Sequence, residues 1–210
     1  MALFKPKSST TGAPPFFGVC EVAVLRFEDK SGTFDWSPIM FDVVVRQKGS
    51  EWDRKLTIKG GLEKDNKGNI VGGSVLNKMY FFFDTIGAKV GVNIKGTWET
   101  EEGAAIDNIE SHLNNLYTQN ANPDGTCDSY PYLAYVYKET PKQAGAKVYS
   151  RVHHRVYPNA PGNDAKLLSD ANYCKQKGWI KEFDGPLANG IQEVKTDDAL
   201  DSMPSSLDSL

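Results

Sequence analysis

From Pro38 to Lys59 the chain repeats a two-residue pattern twice, with Gly49-Ser50 between the repeats. In the first repeat Ile39, Phe41, Val43 and Val45 fall on one side, and Met40, Asp42, Val44 and Arg46 on the other. In the second, Trp52, Arg54, Leu56 and Ile58 oppose Asp53, Lys55, Thr57 and Lys59. Successive side chains alternate between the faces of a strand, whereas a helix returns to one face every three or four residues. Such runs fold as half-buried strands, and two of them joined by a short Gly-containing loop read as an antiparallel hairpin.

The same reading extends along the chain. Phe16 to Glu28 is rich in β-branched and aromatic residues on both sides, which predicts a central strand, and Asp29-Lys30-Ser31-Gly32 turns the chain. Gly60 to Gly73 is rich in Gly, Lys and Asn and reads as a long, mobile loop. Ser74 is placed to cap a helix in which Val75, Leu76, Met79, Tyr80, Phe82, Phe83 and Ile86 recur at helical spacing, with Gly87 at its end. Val90 to Trp98 reads as a short strand, and Gly103 to Thr118 as a second amphipathic helix. Strands at Pro131–Glu139 and Lys147–Tyr157 follow, separated by Pro141 and Gly145. Asp164 to Lys177 predicts a pair of short helices, docked by Trp179, Ile180 and Phe183.

The expected fold class is therefore mainly β with helical insertions. Five strands with a helix between the third and fourth is the order of an OB-type barrel. A β-sandwich is the alternative, but it usually needs seven or more strands. Residues 1–15 form a flexible arm, 16–190 the folded domain with a helical appendage, and 191–210 an acidic, disordered tail.

The strand from Lys147 to Tyr157 carries the functional signal. Val148, Ser150, Val152, His154 and Val156 form one side, a core face. Lys147, Tyr149, Arg151, His153, Arg155 and Tyr157 form the other. No acid occurs from Thr140 to Asn163. Cations attract phosphates and aromatic rings stack on unpaired bases, so this face has the chemistry of a single-stranded nucleic-acid platform. Tyr135 and Tyr137 on the preceding strand, and Trp52 and Arg54 at the mouth of the first hairpin, extend it. A second reading gives the tyrosine-rich face to a protein partner, because Tyr and Arg are also favoured at protein interfaces.

Charge bears on the choice. The net charge is −3, but Asp197, Asp198, Asp201 and Asp208 lie in the tail, and without them 24 basic residues face 23 acidic ones. A near-neutral body with one basic strand and a separate acidic tail results. Cys20, Cys127 and Cys174 are odd in number and widely spaced, with neither a metal pattern nor a disulfide framework, which favours a reducing, cytoplasmic setting. There is no run of about 18 apolar residues for a membrane span, and the first fifteen residues lack the apolar stretch of a secretory signal.

Little supports enzyme chemistry. The adjacent His153 and His154 point to opposite faces of a strand and do not share a metal, and no Cys/His spacing suits zinc. There is no nucleophile elbow, no phosphate-binding loop and no dinucleotide fingerprint. Asp42 with Asp53, Arg54 and Lys55 allows a Mg²⁺-dependent nuclease as a third reading. No cofactor or metal is expected.

The hairpin Ile39–Lys59, the helix Ser74–Ile86, the hairpin Tyr132–Tyr157 and the acidic tail Asp197–Leu210 together make the chain resemble the OB-fold single-stranded DNA-binding proteins encoded by tailed phages. The resemblance covers most of the chain as an arrangement of elements. It implies a non-enzymatic, sequence-tolerant protein that protects single-stranded DNA in replication and recombination, in the cytoplasm of an infected host cell. It further implies that the tail, from Asp197 through Leu210, recruits replication or recombination proteins and competes with DNA for the groove. Here the tail carries four acids in its last fifteen residues, is interrupted by Met203-Pro204, and ends in Leu210 where an aromatic is common.

Overall fold

A computed structural model describes residues 17–50, 52–141 and 148–183. The chain begins with β1 (Gly18–Asp29), β2 (Ile39–Gln47) and β3 (Asp53–Gly60). A small hairpin, β4 (Glu63–Lys64) with β5 (Ile70–Gly72), leads into α1 (Ser74–Ile86). A second small hairpin, β6 (Val90–Val92) with β7 (Trp98–Thr100), precedes α2 (Ile109–Leu116). β8 (Tyr132–Glu139), β9 (Tyr149–Pro158) and α3 (Asn163–Gln176) follow. The protein is thus mainly β with three helices, around one antiparallel sheet in the order β3-β2-β1-β8-β9. No helix among the described residues is long and apolar enough to cross a membrane.

The expected barrel is open. No ladder joins β3 to β9, so both are edge strands, although they run side by side. Part of the reason lies in β9. Ala134 pairs with Val156 and Val136 with Val152, so His153, His154 and Arg155 stand opposite Tyr135 alone. A bulge of this kind bends a strand and breaks the row of groups that a new partner would need. α1 packs against both edges and satisfies some of their carbonyls. Lys78 Nζ donates to the Lys59 carbonyl at 2.9 Å, and Thr85 Oγ1 to that of Val156 at 3.0 Å.

β1 has its own edge problem, because it pairs with β8 only from Gly18 to Val22. The α2 region supplies partners for the remainder. Asn114 accepts from the Phe27 amide at 2.8 Å and donates to the Phe27 carbonyl at 2.9 Å. Gln119 exchanges the same pair with Val24, its side chain accepting at 2.8 Å and its amide donating at 2.7 Å. Glu110 accepts from the Asp29 amide at 2.8 Å.

The main core fills the inner face of the sheet. Val22, Val24 and Phe27 of β1 meet Phe41, Val43 and Val45 of β2, and Leu56 and Ile58 of β3, under Met79, Phe82 and Phe83 of α1. Phe27 joins Val24 on this face although the two are an odd number apart, because Leu25 is bulged out of the β1–β2 pairing. A second, smaller core lies on the opposite face, where Leu167, Ala171 and Cys174 of α3, with Ile180, cover Leu133 and Tyr135 of β8.

Several local expectations change. Ser74 does not cap α1; the N-cap is Gly73, with no side-chain cap, and a Cβ there would lie 2.4 Å from the Gly61 carbonyl oxygen. The close approach of the two backbones admits only glycine. The loop from Gly60 to Gly73 contains the β4–β5 hairpin, turned by Asp65, whose carboxylate accepts from the amides of Lys67 and Asn69. The segment after β9 is one helix, not two. The 1–15 arm and the 191–210 tail lie outside the described residues.

Candidate nucleic-acid interface

The predicted inward side of β9 is as expected for Val148, Ser150, Val152 and Val156, all buried. The predicted outward side is not an open platform, because α3 lies across it. Arg155 donates to Asp170 of α3 at 2.7 Å, and the Tyr157 hydroxyl donates to the same oxygen at 2.7 Å. Phe81 of α1 packs beneath both, edge-on to Tyr157 with centroids 5.4 Å apart and 5.3 Å from the Arg155 guanidinium. Tyr135 is buried under α3, donates to Glu182, and is approached by Lys175, which pairs with Glu182. Tyr137 is half-buried and stacked on Tyr135, and burial, reinforced by the Glu139 charge, pushes its hydroxyl up to about 12. Arg151 donates to Glu139 at 2.8 Å and covers the Tyr149 ring at 5.5 Å.

His153 belongs to neither expected role. It lies in the bulged part of β9, buried at 6 % exposure, and its ring is 4.2 Å from that of His154. The two adjacent rings therefore lie together, contrary to the alternation expected of a regular strand. Burial, then the nearby Arg155 charge, lowers His153 to about 4. Burial, then the charges of His153 and Lys78, lowers His154 to about 3. Both rings are neutral at pH 7 and contribute no charge to a phosphate contact.

At the first hairpin, Trp52 is 49 % exposed and its amide is held by Ser50 Oγ at 3.2 Å. Arg54 is buried at 8 % exposure, with Nε donating to Gln47 at 3.3 Å and its guanidinium over Phe17. Lys138 approaches the same Phe17 ring at 4.7 Å. The tyrosine face offered to a protein partner is the face that α3 covers. The nuclease arrangement is not assembled either. Asp53 is held by Arg46, Asp42 accepts from Thr57 at 2.7 Å, and four strand positions, about 13 Å, separate the two carboxylates. No cluster of metal-ligating side chains occurs among the described residues. Lys147, Asp197, Asp198, Asp201, Asp208 and Leu210 lie outside the described residues.

The arrangement best suited to an unpaired base lies where no periodic run drew notice, in the β1–β2 connection. Phe34 and Trp36 are 40 % and 54 % exposed and stack on each other, with centroids 5.7 Å apart and planes 30° apart. Lys59 of β3 sits over Trp36 at 5.6 Å, and makes no ion pair among the described residues. Their exposure is not looseness. Ser37, fully buried between the two aromatics and β2, accepts from the Gly60 amide at 3.0 Å, donates to the Ile39 carbonyl at 2.9 Å, and closes a turn onto Phe34. At the other end of the connection the Lys30 amide donates to the Met40 carbonyl, and Ser31 Oγ accepts from the Met40 amide. Half-buried Lys78, lowered by burial and then by the Lys59 charge, adds a second cation beside Lys59. The available signal was the position of Phe34 and Trp36: two large aromatics between Gly32 and Pro38, outside any strand or helix pattern.

Comparison of the chain with protein-family models, with curated proteins and with solved structures returned no match.

Proposed function

We propose that the protein is a non-enzymatic, sequence-tolerant single-stranded DNA-binding protein on an OB-type framework. The strand order, the parallel approach of the two edge strands and the helix between the third and fourth long strands support that framework. In such folds, the face of the second and third strands and the loops after the first and fourth strands bind oligonucleotides. The observation that carries the reading is the exposed Phe34–Trp36 stack with Lys59 over Trp36, which lies in that loop and on that third strand. Two π-faces accept bases of any identity, and a lysine beside them with no ion pair among the described residues attracts a phosphate. Trp52 offers a further exposed ring at the opposite end of β3. Arg155 and Tyr157 then serve mainly to hold β9 and α3 together, and Arg151, lying over Tyr149, ties β9 to Glu139 of β8. The acidic tail remains the candidate hook for replication or recombination proteins.

The test is binding of a fluorescent oligo-dT across a salt series, for the intact chain and for Phe34→Ala/Trp36→Ala. Stacking contacts of this kind are worth about 1–3 kcal/mol per base. Salt-sensitive binding that weakens at least about fivefold in the variant supports the reading. Absence of binding at low salt refutes it.

A further inference from the structure

A second pair of exposed aromatics lies on the far side of the molecule's smaller core. Trp179 is 69 % exposed and Tyr173 is 51 % exposed, edge to face, with ring centroids 5.8 Å apart. Lys177 sits over Tyr173 at 5.5 Å. The parts match those in the β1–β2 connection: two exposed rings and one cation over one of them. As there, the rings are held in place by the backbone. α3 ends at Gln176 with Lys177 as its C-cap, Gly178 takes a left-handed conformation, and the amides of Trp179 and Ile180 return to the Cys174 carbonyl at 2.9 and 3.3 Å. Ile180 is buried in the smaller core, so the backbone on which Trp179 stands is anchored.

Charge is sorted across this segment. Asp170 and Glu182 are turned toward the sheet, where they hold Arg155, Tyr157, Tyr135 and Lys175. Lys166, Lys177 and Lys181 are exposed and make no ion pair among the described residues, and among the described residues from 163 to 183 the one exposed carboxylate is that of Asp164. Exposed aromatic rings with a lysine over one of them are a poor match for the core of a protein interface, from which lysine is depleted. They match a polyanion with exposed ring faces.

We propose that Tyr173, Trp179 and Lys177 form a second contact station for single-stranded nucleic acid, used by strands long enough to continue past the Phe34–Trp36 station. This rests on the function proposed above and adds a surface to it. The helix that covers the basic strand thereby presents a surface in its place, with Asp170 turned to the sheet and Lys166 exposed to solvent.

The experiment measures affinity for oligo-dT of about 8 and about 30 nucleotides, lengths within and beyond the roughly 4–16 nucleotides that a single OB-type groove covers. The intact protein is compared with Tyr173→Ala/Trp179→Ala, with Lys177→Glu and with Phe34→Ala/Trp36→Ala, each checked for an unchanged thermal melt. All substituted side chains are exposed, and Lys177→Glu keeps both rings. The expected result is that both α3 variants bind the longer strand at least about fivefold more weakly. Unchanged affinity for the longer strand in both α3 variants, with a loss in Phe34→Ala/Trp36→Ala, overturns the second station and leaves the proposed function standing. A surface that meets protein instead gives this same result. No binding by the intact protein overturns both.

Discussion

Asp170 accepts from Arg155 at 2.7 Å across the contact between α3 and β9, and so neutralises the cation that most marked this strand as a phosphate site. Burial alone would raise the Asp170 carboxyl, but the hydrogen bonds of Tyr157 and Arg155 and the Arg155 charge outweigh it and hold it below its ordinary value. A carboxyl lowered in the folded state stabilises the fold above its unfolded pKa, and that contribution is lost as pH falls through the folded pKa. Asp170→Asn keeps an acceptor for Tyr157 and removes the charge. The Arg155 side chain is 42 % exposed, so solvent screens the pair and the expected loss is only about 1 kcal/mol at neutral pH. Urea unfolding at pH 7 and in acid measures it: the gap between variant and parent should shrink below the usual carboxylate range. A gap that grows in acid would contradict the assignment.

The His153–His154 pair gives the opposite diagnostic range. Both rings are lowered, to about 4 and about 3, and the charged groups around them are Arg155, Lys78 and Asp170. The unfolded chain takes up protons near pH 6.5, whereas the folded chain does not until well below it. Stability therefore falls as pH drops from about 6.5 towards 4, because the unfolded state then binds more protons. The expected loss is on the order of a few kcal/mol. Denaturant midpoints at pH 7, 6 and 5 will show it for the parent, with a smaller slope for His153→Gln. A parent whose midpoint is flat from pH 7 to 5 would mean that the rings are hydrated.

Much of the fold was legible because it is local. Alternation located β2, β3 and β9, and β-branched and aromatic composition located β1 and β8, within a few residues, while helical spacing with Gly87 located α1 at Ser74–Ile86. The site was less legible because its geometry is not local. The bulge at which His153 and His154 come together is a property of the β8–β9 register, which the loop between them leaves open. The acids that neutralise β9 stand on β8 and α3: Glu139 pairs with Arg151, 12 residues away, and Asp170 with Arg155, 15 residues away. A window free of acids in sequence is thus no guarantee of a surface free of acids in space. Phe34 and Trp36 were missed for the converse reason, since periodicity detects residues that serve a core and they serve none.

The open edge of β1 makes a separate prediction. Asn114 completes the ladder at Phe27 with both halves of its amide, at 2.8 and 2.9 Å. Asn114→Ala leaves one donor and one acceptor of a buried strand residue without their partner. A loss of about 1–3 kcal/mol is expected, the usual cost of stranding buried polar groups. Amide exchange should quicken at Phe27, whereas the Val43 and Phe41 amides on the intact β2 side stay protected. Uniform quickening across the sheet would point to global rather than edge instability.

Gly73 tests the close approach of β4 to the start of α1. Its φ of 141° is unfavourable to other residues, and a Cβ would also meet Leu62 Cα at 2.8 Å. Both neighbours are backbone, which does not give way cheaply. Gly73→Ala should therefore cost more than the roughly 1 kcal/mol that a strained backbone angle alone incurs. Gly87→Ala is the control: its φ is 74° but no atom lies within 4 Å of the added carbon. Thermal melts of the two variants should rank Gly73→Ala as the less stable. Equal melting points would mean that the β4–β5 hairpin moves aside.

The last prediction separates cations that are free to meet phosphates from those that are not. Each phosphate contact on a single strand contributes about 0.7 to the slope of log affinity against log salt. Lys59 has no ion-pair partner among the described residues, whereas Arg151 is held by Glu139 at 2.8 Å. Lys59→Ala should lower the slope for oligo-dT by about 0.7 and weaken binding alike on all sequences. Arg151→Ala should leave the slope close to that of the parent, because binding through Arg151 would first have to release Glu139. Measured side by side, the two slopes distinguish a contact surface at β3 and the β1–β2 connection from one along β9. If Arg151→Ala shows the larger drop, the DNA runs along β9 and α3 must be displaced to admit it.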